Sequence, residues 1–207
     1  MIRAISVLSL FTLLILVLYI PSAYPPERFV AQLRIEHQVL IGFWGNKPAF
    51  RILTRAEGMQ AGAAAITPIP TPADAPSTHA VNGAVAREMA SVNQRLFHNP
   101  YFRSVDALLL LAFYRLATLL EWLPWLSVFM LAAMVDGGFL RLVKAKQFAH
   151  HDPEMFALYA SIAILLACAM AIAFVLPITL PPLALPTMPL AVGALLSRAL
   201  AHYPQRG

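Results

Sequence analysis

The chain has 207 residues, 59% of them hydrophobic and 12% charged, with a net charge of +5 and a mean hydropathy of +0.69. Soluble domains carry roughly 25% charged residues, so this composition excludes an ordinary soluble domain and points to an integral membrane protein. The single cysteine, Cys168, excludes an intrachain disulfide, and the basic balance reads as loop asymmetry around membrane spans rather than a nucleic-acid footprint.

The first element is an uncharged, mostly apolar run from Ala4 to Tyr24, preceded only by Arg3. At ~1.5 Å rise per residue such a run covers the ~30 Å hydrocarbon core. A cleaved leader is the alternative, but Pro21-Ser22-Ala23 is a poor small-x-small cleavage site. Residues 1–23 are therefore expected to be an N-terminal transmembrane anchor.

Residues 24–104 form the expected exported, helical segment. It holds eight basic and five acidic residues, and its length removes it from the positive-inside rule. Val30, Leu33, Leu40, Ile41 and Trp44, with His37 in the same stripe, predict an amphipathic helix over 27–44. No partner at metal spacing accompanies His37, which reads as a packed or edge histidine. The stretch 62–78, with Pro68, Pro70, Pro72 and Pro76, predicts an extended linker. Val81, Val85, Met89, Val92 and Leu96 then recur at helical spacing until Asn99-Pro100 ends the pattern. That stripe needs a covering surface: the 27–44 helix, the membrane face or another subunit.

Residues 105–207 read as a three-span membrane domain. Val105 to Leu140 is thirty-six residues long and contains Pro124 between Trp122 and Trp125. It fits either a hairpin turning at Glu121–Trp125 or one long kinked helix. The following segment, 141–155, carries Arg141, Lys144 and Lys146, and short basic loops stay cytoplasmic. With Arg3 also inside, the long region crosses once, giving an all-α polytopic protein of about four transmembrane helices with cytoplasmic N- and C-termini. Trp122 and Trp125 are the expected interface anchors, with 122–139 in the bilayer and 106–121 along or above its outer surface. Phe156–Ile178 is a clean span, Thr179–Thr187 is uncharged and proline-rich, and a last span ends near Arg198 and Arg206.

Motifs for chemistry are lacking: no phosphate-binding glycine loop, paired-cysteine site, His-Glu-x-x-His or Gly-x-Ser-x-Gly occurs. His150-His151-Asp152 with Glu154 is a local cluster that reads as a solvated loop rather than a metal site. No enzyme activity, cofactor or metal is expected, and no direct nucleic-acid binding, since no aromatic side chains interleave the bases. Asp136, Gly137, Gly138 and Arg141 stand out. Either Asp136 is interfacial, or the glycines admit a neighbouring helix and Asp136 pairs with Arg141 or Lys144 across that contact.

Val135-Asp136-Gly137 closing a long apolar helix, Arg141 after it, the Phe148-to-Tyr159 stretch, and Leu176-Pro177-Ile178 with Pro181 and Pro182 before a last span resemble a known group. These are the four-helix membrane proteins of unassigned biochemical function encoded in integrating conjugative elements. The Glu121-Trp122-Leu123-Pro124 approach is similar as well, and the resemblance covers Asp106 to the C-terminus. The chain departs from that pattern in placing Gly138-Phe139-Leu140 where paired bases usually follow the Asp-Gly. The resemblance implies a bacterial inner membrane and a non-enzymatic accessory or structural part in DNA transfer beside a type IV secretion apparatus. Its partners would be membrane lipid, other membrane or secretion-apparatus subunits, or a second copy of the chain. Two other readings stand beside it: exclusion of a redundant incoming element by the exported segment, and a small transporter or channel.

Overall fold

The computed structural model describes residues 2–66, 100–146 and 153–203, and the regular structure among them is α-helical throughout. In chain order the helices are α1 (Ile2–Ala23), α2 (Pro26–Trp44), α3 (Asn46–Ile66), α4 (Pro100–Lys146), α5 (Pro153–Val175) and α6 (Ala184–Ala201). Four of them, α1, α4, α5 and α6, are long and apolar enough to cross a membrane. The chain is thus an all-α, multi-pass membrane protein. The stripe Val81–Leu96, the His150–Asp152 cluster and Arg206 lie outside the described residues.

α1 shows why a bilayer is its solvent. Val7, Leu8, Leu10, Phe11, Leu14, Ile15, Leu18 and Tyr19 all leave more than half of their surface uncovered. An apolar patch of that extent is not sustained against water. Only the C-terminal end of α1 is enclosed by protein, where Ile20 packs with Phe29, Leu108, Leu111 and Val175.

Pro25 and Pro26 break the chain after α1, and Pro26 opens α2 at the position where a missing N–H costs nothing. Gly45, at φ +82, then reverses the chain, its N–H bonded to the Ile41 carbonyl. A side chain there would be strained. α2 and α3 form a helical hairpin that lies against the first half of α4, with Leu40, Ala49, Ile52, Ala56, Tyr114 and Ala117 as its core.

α4 is one helix of 47 residues, ~70 Å long. It runs unbroken through Trp122–Trp125, so the hairpin alternative does not form. Pro124 removes the N–H that would bond the Leu120 carbonyl, but a proline inside a span is tolerated where neighbouring groups replace the lost bond. The two halves of α4 have different neighbours. Its N-terminal half carries the α2–α3 hairpin and the end of α1, while its C-terminal half packs lengthwise on α6.

Three boundaries differ from those read in the sequence. Residues 62–66 are the end of α3 rather than the start of a linker, since Gly-Ala-Ala-Ala-Ile precedes the first proline and alanine is the best helix former. Arg141, Lys144 and Lys146 are helical rather than in a loop, as expected of good helix formers whose charge opposes the negative C-terminal end. α5 ends at Val175, not Ile178, because Pro177 disfavours helical geometry at Leu176.

The α4–α6 seam is closed by small residues. A Cβ added to Gly137 would lie 2.5 Å from the Ser197 carbonyl oxygen, and one added to Gly193 would strike the Met130 sulfur. Gly138 has nothing within 4 Å of the same position. Gly137→Ala should therefore lower stability by about 1–3 kcal/mol through overpacking, seen as a fall in the thermal midpoint in detergent. Gly138→Ala should leave the midpoint unchanged or raise it; equal midpoints for the two variants would contradict the seam as described.

Candidate functional site

The polar centre of the molecule is Arg115, on the buried face of α4 and fully enclosed. Its Nε donates to Glu36 Oε2 at 3.0 Å and its Nη2 to Glu36 Oε1 at 2.5 Å, the fork geometry in which both carboxylate oxygens are engaged. The rest of the guanidinium turns to the end of α5. Nη1 donates to the carbonyls of Ala173 (2.5 Å), Phe174 (3.2 Å) and Leu176 (2.7 Å), and Nη2 to that of Ile178 (2.6 Å). A guanidinium has five N–H groups, and they meet six contacts here, so at least one hydrogen is shared.

The local reasons are legible in the backbone. The last carbonyls of a helix have no intrahelical donor, and the break before Pro177 leaves those of α5 open. A cation placed there satisfies them and complements the negative end of the helix. Glu36 is held in turn by Gln32 Nε2 at 3.0 Å and by the Leu180 backbone N–H at 3.4 Å. One ion pair thus joins α2, α4, α5 and the α5–α6 connection. Beside it, the Tyr114 hydroxyl lies 3.2 Å from His37 Nδ1, and the two rings meet edge to face. Trp122 lies beyond, its ring 5.3 Å from that of Trp44.

The buried face of α2 is therefore Phe29, Gln32, Glu36 and Leu40, displaced from the predicted stripe. Leu33, Ile41 and Trp44 are partly buried beside it, and Val30 is exposed. The two expected tryptophan anchors also separate: Trp125 is 76% exposed, whereas Trp122 turns into the protein. Glu36 and Arg115 were the residues hardest to single out, because each looks like a surface charge by itself. The available signal was a lone arginine in a long apolar run, which requires a carboxylate somewhere on an otherwise apolar face.

A second polar region gathers at the opposite end of the bundle. The Arg141 guanidinium sits 5.0 Å above the Tyr203 ring, which packs on Phe156. Lys144 Nζ lies 3.2 Å from His202 Nε2, and His202 faces Tyr159. Of the four residues marked near the end of this span, Gly137 enters the α6 seam, Gly138 does not, and Arg141 joins the aromatic cluster. Asp136 is exposed and forms no ion pair among the described residues. Within one chain Asp136 pairs with neither Arg141 nor Lys144: five and eight residues further along the same helix, they are turned from it by ~140° and ~80°, and only i,i+3 and i,i+4 neighbours face one another.

The described residues contain no group of three or more His, Cys, Asp or Glu side chains that could hold a metal. At the α3–α4 contact, Arg51 and Arg55 both reach Glu121, and Gln60 donates to Asp106 at 2.7 Å. These pairs are largely exposed and contribute little individually. The buried pair is a different case, because removing one partner strands the other charge. Arg115→Met should destabilise the protein by about 3–5 kcal/mol, and Arg115→Lys should also lose stability, since an ammonium cannot reproduce the fork. Arg115→Met combined with Glu36→Leu should cost less than the sum of the single changes. Denaturation in detergent measures all four; strict additivity would mean that the two side chains do not act as a pair.

The family described as IncC plasmid conjugative DNA transfer protein DtrJ-like matches residues 56–203. No curated protein and no solved structure matches the chain. The matched stretch runs from the middle of α3 to the aromatic residue after α6, and so takes in Arg115, the α5 carbonyls that it caps and the whole α4–α6 seam. The chain belongs to this DtrJ-like family of conjugative DNA transfer proteins.

Proposed function

We propose that the protein is a non-enzymatic inner-membrane subunit, or accessory protein, of a conjugative DNA-transfer apparatus of the type IV secretion kind, and that it acts by holding other subunits through helix packing. The observation that carries this reading is the coincidence of the family match with a four-span bundle whose buried charges are spent on its own backbone. An arginine engaged by a carboxylate and four carbonyls is a clamp, with no donor left to turn over a substrate. The α2–α3 hairpin, tethered between α1 and α4, is then the periplasmic part that meets neighbouring subunits.

Orientation follows from charge. Arg141 and Lys144 of α4 and Arg198 of α6 gather at one end of the bundle, the end expected to stay cytoplasmic. Reporters fused after Gln147 and after Gly207 should both give cytoplasmic signals. Outward signals at both would reverse the proposed topology.

Deleting the gene from donor cells should lower transfer of the element, with recovery on expression from a second site, and the protein should co-purify with secretion subunits. Expression in recipients alone should leave uptake unchanged. Normal transfer from the deleted donors would remove the proposal, and a fall in uptake confined to recipients would replace it with an exclusion role.

A further inference from the structure

α4 and α6 run in the same direction along their seam: Met130 meets Gly193, Gly137 meets Ser197, and Lys144 meets His202. In two parallel helices, with ~100° of turn per residue, the residue before one contact position and the residue after its partner project to the same side of the seam. At the Gly137–Ser197 contact these residues are Asp136 and Arg198. Both are exposed, and with a rise of ~1.5 Å per residue they lie at nearly the same depth. Neither forms an ion pair among the described residues. The same face continues as Ala132 on α4 and Ala191 and Ala194 on α6, all exposed.

We propose that this face docks a second copy of the chain about a two-fold axis along the membrane normal, with Asp136 of each copy meeting Arg198 of the other. Self-complementarity is the argument. A two-fold contact requires that residue i meet residue j while j meets i. Copies inserted with the same orientation keep every residue at its own depth, so opposite charges on one face at one depth meet their complements automatically. A partner of another kind would need only one of the two signs. The three alanines supply the small surface on which spanning helices approach closely, and charged side chains in a span are expected to be paired. This inference goes beyond the conjugative role and does not depend on it.

The competing arrangement is an Asp136–Arg198 pair across the seam within one chain, and a test in trans separates the two. Two differently tagged full-length copies are co-expressed in membranes and captured through one tag in mild detergent. Wild-type copies should co-purify. Asp136→Arg paired with itself, and Arg198→Asp paired with itself, should each lose capture at least tenfold. Asp136→Arg co-expressed with Arg198→Asp should restore it, because each chain then supplies what the other lacks; chains that had failed to fold would not recover together. Failure of wild-type copies to co-purify, capture unaffected by either single change, or rescue only when both changes are on the same chain would each overturn the proposal.

Discussion

Everything in the upper half of the bundle depends on where Arg115 can put its charge. A fully buried guanidinium is unfavourable unless its donors are satisfied, and a low-dielectric surround makes each bond stronger and each omission costlier. The fold answers by bringing three separate stretches to it: the carboxylate of α2, the frayed end of α5 and the backbone that leads into α6. None of these could move far without stranding a charge or a carbonyl. The hairpin contact, the end of α5 and the entry to α6 are therefore coupled through one ion pair, in addition to the apolar core under the hairpin and the break before Pro177.

α4 is the element on which the two halves of the molecule are mounted. Its first half offers Leu108, Leu111, Tyr114 and Ala117 to the surrounding helices. Its second half offers glycine and methionine to α6 and apolar side chains to lipid. The change of surroundings along one helix explains its mixed sequence. A uniformly apolar helix of that length would exceed the bilayer, and a uniformly amphipathic one would not cross it.

Spanning helices were legible because the signal is long, uncharged and local: α1, α5 and α6 follow from hydropathy, and the undivided α4 follows from charge asymmetry. The amphipathic character of α2 was legible too, but its rotation was not. Gln32 and Glu36 occupy the buried face, and reading apolar residues alone turns the stripe toward Val30. α3 left no signal strong enough to read, since its Ala49, Ile52 and Ala56 are a thin stripe among polar residues and helix formers. The ion pair at the centre was hidden for a physical reason. A lone arginine in an apolar run signals that a carboxylate is needed, but the partner lies 79 residues away, and nothing local to Arg115 says which carboxylate it is. Gly137 stood out beside Gly138, yet only the approach of Ser197 separates the glycine that must be small from the one that need not be.

The acceptors around Arg115 also fall in a definite order along the chain. Glu36 precedes it by 79 residues, while the α5 carbonyls and Leu176 and Ile178 follow it by 58 to 63. During synthesis the carboxylate is already present when Arg115 emerges, whereas the carbonyls do not yet exist. Of the acceptors in this cluster, the Glu36 carboxylate is therefore the one already made when Arg115 emerges. Completion of the cluster waits for the α5–α6 connection, which cannot seat before α5 has crossed. An arginine that is a clamp in the finished protein thus has its partners supplied in two stages, the carboxylate before it in the chain and the carbonyls after.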